Sequence, residues 1–350
     1  INTFFNRLMY TIARYPTSAL KFPLVCHYRS AHILGGRDLS QKIIDGVKKG
    51  VDYMKSKVGF GPHLTIISTG NDAASKSYIG QKIKRGKEVG MTVEEIIVDI
   101  PNVKETSALE AAVTKIAKSN TSTGCIIQLP LFDKNQNVIH KGHHSAVDIL
   151  RRERLLIKDV DGMHPCSEAL YHFLDYRASL PFNLSCTPAA VLRLLSYHNV
   201  DIVGKRAVVI GRSSIVGLPM VNSLLMDKYR MTVTSPHRSD TNLKEYTKNA
   251  DLIIVAAGKP SLITADMIKK DSILVDVGIN RVPCSKNSSG YELVGDIDPD
   301  CYDKCGAYSP VPGGIGPITV AVLMQNTLKS ALCQHNIELP KVLKDELINY

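Results

Sequence analysis

A tyrosine and a lysine one helical turn apart, Tyr78 and Lys82 in the run Ser77-Tyr78-Ile79-Gly80-Gln81-Lys82, can present an aromatic ring and an amine on one helix face. A second run, Ser309-Pro310-Val311-Pro312-Gly313-Gly314-Ile315-Gly316-Pro317-Ile318-Thr319, is too rigid at its prolines and too bare at its glycines to be an ordinary linker. Together they describe a flat substrate laid on backbone and held against an amine. A lysine's pKa is pushed down wherever a like charge stands beside it, and the neutral amine can then act as a base. Three further groups stand between the two runs: Gln128 in Gln128-Leu129-Pro130-Leu131, Asp161 in Asp159-Val160-Asp161-Gly162, and the loop Gly211-Arg212-Ser213-Ser214-Ile215-Val216-Gly217. Taken singly, each has an ordinary explanation: an amide capping a loop, an Asp-Gly turn, two glycines six apart by chance.

The elements needed to position these groups are legible in the apolar pattern. Leu39, Ile43, Ile44, Val47 and Val51 recur at helical spacing, and Pro62 to Gly70 reads as a buried strand ending on glycine. A helix from Ser77 to Val89 carries Tyr78 and Lys82. A strand over Thr92 to Val98, a helix over Leu109 to Ser119 and a strand from Gly124 to Pro130 follow, so Gln128 stands at a strand end. Repeated βα units imply a parallel sheet with ligands at the strand C-termini. A second α/β unit begins at Thr187-Pro188, with threonine before a helix and proline at its first position. Its strands are expected at Arg206 to Ile210, Met231 to Thr234, Leu252 to Ala256 and Ile273 to Val277, and residues from Ile318 to about Gln334 are again helical.

The first of these later strands runs into the Gly211–Gly217 loop and then a helix near Leu218-Pro219, a geometry that favours a pyrophosphate. Cofactor choice is made where the second strand ends, at Ser235-Pro236-His237-Arg238-Ser239-Asp240. An acid there would bond a free ribose hydroxyl, whereas Arg238 and Arg212 suit a 2′-phosphate.

In this order the motifs resemble the methylenetetrahydrofolate dehydrogenase/cyclohydrolase family, from about Ile33 to about Leu332 and closest to its mitochondrial bifunctional members. The resemblance implies an α/β fold of two domains, an N-terminal α/β catalytic domain and a Rossmann-like dinucleotide-binding domain with a cleft between them. The division is 32–180 plus 320–345 for the folate-binding half and 181–319 for the NAD(P)-binding half. It further implies a stacking role for Tyr78, catalysis by Lys82, aim from Gln128 and a bidentate grip on the pterin edge by Asp161, with Pro312, Gly313 and Gly314 meeting the folate. For the cofactor it implies Gly211, Arg212, Ser213, Ile215, Gly217, His237, Arg238, Gly258, Gly278 and Ile279. NADP is favoured over NAD. The mitochondrial NAD-dependent members hold inorganic phosphate on two arginines and Mg²⁺ partly on an aspartate; Arg230 stands at the matching position and cannot ligate a metal, so no metal ligand is assigned. Phe132 and Ser309 replace the family's usual proline and threonine. A homodimer is the family expectation.

Bulk composition narrows the alternatives. At 350 residues and 44% hydrophobic content, two cores are the default, and no run reaches the ~18 apolar residues of a membrane span. Residues 1–37 hold Arg7, Arg14, Lys21, Arg29 and Arg37 and no acid, which is half of the net charge of +10. With the amphipathic run Phe4 to Arg14, this is the composition of a mitochondrial transit peptide over residues 1–31, so a matrix location is expected. A nucleic-acid-binding protein would need clustered cations with interleaved aromatics, and the remaining charge is modest with no tryptophan. Retention of Lys82 and Gln128 weighs against a monofunctional dehydrogenase, and intact motifs in both halves weigh against an inactive scaffold. The eight cysteines show no Cys-x-x-Cys pair and no metal-site spacing, and His143-His144 reads as a solvated loop.

Overall fold

The computed structural model describes residues 31–348 except 71, 103–106, 141–156, 165, 168–182 and 288–289. The leader, His143-His144 and most of the stretch 139–158 therefore lie outside the described residues. In the first half the elements are β1 (His32–Ile33), α1 (Arg37–Val58), β2 (His63–Thr69), α2 (Ala73–Glu88), β3 (Thr92–Val98), α3 (Ser107–Lys118), β4 (Gly124–Ile127), β5 (Leu131–Phe132) and β6 (Val138–His140). Then come α4 (Cys186–Tyr197), β7 (Arg206–Ile210), α5 (Gly217–Leu225), β8 (Thr232–Thr234), α6 (Leu243–Thr247), β9 (Leu252–Val255), β10 (Ile273–Asp276), β11 (Asn280–Pro283), β12 (Tyr291–Val294), β13 (Ala307–Tyr308), α7 (Ile315–Gln334) and α8 (Lys341–Ile348).

Continuous apolar runs such as Leu64-Thr65-Ile66-Ile67 and Leu252-Ile253-Ile254-Val255 are those of strands covered on both faces, and they form two parallel sheets. One has the order β3-β2-β4 and the other β1-β13-β10-β9-β7-β8. Two antiparallel hairpins, β5 with β6 and β11 with β12, sit outside them. The sequence pattern missed both, because two- to four-residue strands carry too few apolar positions for a period.

The last long helix, α7, is buried on almost every face and packs on α1, α4 and α2. It is the central post of an apolar cluster that runs from Leu64 and Ile66 of β2 to Val209 of β7 and Ile254 of β9. Asn326 on this helix donates to Val160 O at 2.9 Å and Leu184 O at 3.2 Å, so the post also pins the backbone beside Asp161.

Two sequence-based boundaries are corrected. His32–Ile33, assigned to the folate-binding half, pairs with β13 in the other sheet, with His32 N donating to Gly306 O at 2.8 Å and Leu34 N to Tyr308 O at 2.7 Å. The helix expected after Thr187 begins at Cys186, which puts Pro188 inside its first turn. The residue before it is Ser185, whose hydroxyl is drawn away from capping to donate to Ile215 O at 2.5 Å. From the otherwise unassigned stretch, buried Lys158 donates to Ile116 O at 3.0 Å and Ser119 O at 2.5 Å, satisfying carbonyls at the C-terminus of α3.

Candidate functional site

Lys82 sits where it does because α2 starts a turn earlier than the apolar pattern suggests. Asp72 accepts the Ser75 amide at 2.7 Å and caps that helix, so Tyr78 and Lys82 fall in its middle turns. Their side chains meet as expected for i and i+4, with Lys82 Nζ 4.6 Å from the centre of the Tyr78 ring. Lys82 Nζ also donates to Gln128 Oε1 at 2.9 Å. Gln128 is held in turn, its amide nitrogen donating to Leu129 O at 2.8 Å and its backbone N–H to Ile67 O at 2.8 Å. The lysine is 5% exposed. Burial pushes its pKa below the ordinary value, against the opposing pull of Asp161 and Cys186. Burial raises the Tyr78 phenol, and Asp161 raises it further.

Asp161 reaches this cluster because residues 158–160 run along β4, with Cys125 N donating to Lys158 O at 2.7 Å. Asp159, two residues earlier, is fully buried and accepts the His164 amide at 2.6 Å; burial raises its carboxyl to about 7. Cys186 Sγ donates to Val160 O at 3.4 Å, and burial, with the charge of Asp161 nearby, raises its thiol well above the usual range. That shift keeps the thiol protonated in the cavity wall.

Tyr78, Lys82, Gln128, Asp161 and Cys186 line one cavity of about 580 Å³ that lies at strand C-termini of both sheets. Tyr78, Lys82, Gln128 and Asp161 form one wall. Pro312, Gly313 and Gly314 form another, and Ile215, Gly278 and Ile279 close it from the second half. Sequence reasoning did not find Arg37, Asp72, Cys186, Asp276 or Arg281 in this lining. Phe132 lies outside it, its amide donating to Thr69 Oγ1 at 2.7 Å, a bond a proline could not make. Ser309 keeps the hydroxyl of the threonine it replaces and accepts the Asp276 amide at 2.8 Å.

The remaining predicted cofactor residues lie outside the cavity lining, at the C-terminal ends of β7, β8 and β9. Gly211 has φ +124°, and a side chain at Gly217 would put its Cβ 2.0 Å from Gly211 O, so the loop closes tightly on itself. Ser213 Oγ takes the Val216 amide at 3.2 Å and Ser213 O takes the Leu218 amide at 3.0 Å. The first turn of α5 is thus partly spoken for, and the backbone amides of residues 212–215, which meet no acceptor among the described residues, are the donors left for a phosphate. The Arg212 guanidinium is anchored on Ser235 O, which ties this loop to the end of β8. His237 Nδ1 bonds the Ser239 hydroxyl at 2.7 Å, and Arg238 is exposed beside it. Ser235 Oγ is buried without a partner among the described residues. A tight glycine loop, open amides, an orphaned hydroxyl and two arginines fit a dinucleotide phosphate. Among the described residues no group of three or more His, Cys, Asp or Glu is placed to hold a metal ion, and no helix is long and apolar enough to cross a membrane.

Comparison with known proteins places these features. Residues 34–147 match the family described as tetrahydrofolate dehydrogenase/cyclohydrolase, catalytic domain, and residues 185–335 match its NAD(P)-binding domain. The chain is 37% identical over 309 residues to the bifunctional protein FolD of Chlorobium phaeobacteroides (strain BS1), covering 87% of this chain and 99% of the relative. Its structure is similar to the crystal structure of the FolD methylenetetrahydrofolate dehydrogenase/cyclohydrolase from Campylobacter jejuni, with a TM-score of 0.74, 35% identity, and coverage of 88% and 100%. It is also similar to the Trypanosoma brucei methylenetetrahydrofolate dehydrogenase-cyclohydrolase solved with NADP and an inhibitor, with a TM-score of 0.76, 27% identity, and coverage of 89% and 100%.

Proposed function

This chain belongs to the tetrahydrofolate dehydrogenase/cyclohydrolase family and is a bifunctional enzyme of that kind, and from that premise we propose how its cavity divides the two reactions. Oxidising 5,10-methylenetetrahydrofolate removes a hydride from a carbon between two nitrogens and leaves a methenyl cation. NAD(P) bound in the second half supplies the hydride acceptor. The protein's task in this step is orientation, which can be worth several powers of ten. Tyr78 stacks the pterin and the loop Pro312-Gly313-Gly314 lets it approach backbone, while Asp161 accepts two N–H bonds from its amino-pyrimidine edge. Hydrolysis to 10-formyltetrahydrofolate needs water at the same carbon and a base beside a positive charge. Lys82 is that base in its neutral form, aimed by Gln128. The observation that carries this reading is the 2.9 Å Lys82–Gln128 bond under the Tyr78 ring, in a cavity bounded by both halves. Steady-state assay of residues 31–350 for both steps tests it; absence of methenyl hydrolysis would sink it.

NADP is the preferred cofactor in this reading. Arg238 stands exposed where the adenosine ribose would lie, and Arg230, exposed just before β8, brings a cation to the place a magnesium ligand would need. Arg238→Ser should raise KM for NADP about tenfold or more, the worth of one charge-assisted phosphate contact, and leave KM for NAD unchanged. An equal change for both cofactors would remove the assignment.

The chain acts in the mitochondrial matrix, as supported by the acid-free basic composition of residues 1–37. Fusing residues 1–31 to a fluorescent protein checks this, and diffuse cytosolic signal is the contrary result. Its assembly is a homodimer, for which β3, an edge strand among the described residues, offers backbone groups; a monomer mass by sedimentation would contradict that.

A further inference from the structure

Two buried carboxylates that neither step uses stand together at the second half of the cavity, Asp276 in its lining and Asp296 beneath it. Asp296 follows β12 and is 0% exposed; Asp276 ends β10 and is 1% exposed. Asp296 Oδ2 accepts the amides of Ala257 at 2.7 Å and Gly258 at 2.8 Å, and its Oδ1 accepts Lys259 N at 2.9 Å and Asn280 Nδ2 at 2.8 Å. One side chain thus sets the bend after β9 and, through Asn280, the bend after β10. Asp276 holds the backbone of that side chain in place, accepting Asp296 N at 3.0 Å and Ile297 N at 2.8 Å, and it also accepts Gly278 N at 2.9 Å. The fit is tight, because a Cβ on Gly278 would lie 2.2 Å from Asp296 Cγ. The loop that carries Gly278 and Ile279 into the cavity rests directly on this carboxylate.

We propose that Asp296 is a positioning residue for the dehydrogenase reaction, shaping the two strand-end loops, residues 256–259 and 277–280, that receive the nucleotide. The proposal rests on the reading that Gly258, Gly278 and Ile279 meet the nucleotide. All four N–H groups around Asp296 are donors, so both of its oxygens must accept. Asp296→Asn replaces one oxygen with an NH₂ group that opposes the Ala257 and Gly258 amides in one orientation and the Lys259 amide in the other, where Asn280 can turn its own amide to accept, so at least one backbone donor is opposed either way and the loops must shift to relieve it. Hydrolysis of methenyltetrahydrofolate needs no nucleotide, which makes it an internal control for folding of the same cavity.

The test measures both activities in Asp296→Asn, Asn280→Ala and Ile279→Ala. In Asp296→Asn the dehydrogenase kcat/KM for nucleotide should fall about 100-fold, the cost of an ångström-scale misplacement, with methenyl hydrolysis within about twofold of the unmodified chain. Parallel loss of both activities shows a merely structural role and overturns the proposal, as does no loss of either. If Asp296→Asn is insoluble, Asn280→Ala decides. That variant cuts the link to the second loop at a half-buried site, together with the longer 3.4 Å bond from Asn280 Nδ2 to Val294 O, and should raise nucleotide KM several-fold with hydrolysis unchanged; an unaltered KM overturns the proposal. Ile279→Ala reports separately on the premise. Its side chain is 57% exposed, so an unchanged nucleotide KM there refutes nucleotide contact by the loop, whatever Asp296→Asn does.

Discussion

Lys82→Met is expected to lower methenyltetrahydrofolate hydrolysis by about 10³-fold, the scale of a lost general base, while the dehydrogenase step falls far less. The asymmetry follows from the chemistry. Removing a hydride from a carbon flanked by two nitrogens demands orientation, which Tyr78 and Asp161 still provide, whereas adding water to the resulting cation demands a proton acceptor. Methionine is unbranched and one atom shorter than lysine, so most of the space stays filled. Two effects on stability oppose each other in this variant. Gln128 Oε1 loses its donor, a cost of about 1–3 kcal/mol, but the fold no longer has to bury an amine whose burial disfavours its charge. The sign of that second effect gives a pH test. The folded-state pKa of Lys82 lies below the ordinary 10.5, so between the two values the unfolded chain holds a proton that the native chain lacks. Stability contributed through this group therefore rises with pH across that window and is fully penalised below it. Urea melts at several pH values should show this component in the unmodified chain and not in Lys82→Met. Equal loss of both activities in the variant would show that Lys82 serves the fold or binding rather than hydrolysis.

What sequence pattern revealed of this site was governed by how locally each residue is placed. Tyr78 and Lys82 share a helix, so spacing alone brought out their relation, and Gln128 could be placed at a strand end, while its partnership with Lys82 was legible only through its motif. Asp161 was legible only through its motif, because its position depends on pairing of residues 158–160 with β4 and on Asn326 reaching across from α7. Cys186 and Asp276 were both within or beside runs that had been singled out, yet their places in the wall depend on how α4 and β10 dock, and no periodic signal encodes that. The same reason explains β1. Two residues cannot show a strand period, and His32–Ile33 is a strand only because β13, some 270 positions later, offers its edge. Two helix starts also moved: the Asp72 cap begins α2 ahead of its apolar pattern, and α4 begins at Cys186, ahead of the Thr187-Pro188 start signal, with the Ser185 hydroxyl drawn to Ile215 O.

Asp161 carries the second large effect, and its consequences differ from those of Lys82 because it stands between binding and titration. Asp161→Ala removes both acceptors for the pterin edge. At about 1.5–3 kcal/mol for each charge-assisted bond, kcat/KM should fall by about 10²-fold or more for both reactions, since every 1.4 kcal/mol is a factor of ten. Asp161→Asn keeps the shape and one acceptor, and should lose about tenfold. The titration effect belongs to hydrolysis alone. Asp161 is the largest influence raising the Lys82 pKa against burial, so its neutralisation drives that pKa further down. The pH step in hydrolysis must then move to lower pH in Asp161→Asn, while the pH dependence of hydride transfer, which uses no base, does not follow it. A common loss in kcat/KM with a shift confined to one profile is what a carboxylate acting on both folate and lysine would produce. If the hydrolysis profile stays where it is in the unmodified chain, the carboxylate and the amine are not electrically in contact, and the arrangement of Tyr78, Lys82 and Asp161 as one site fails with it.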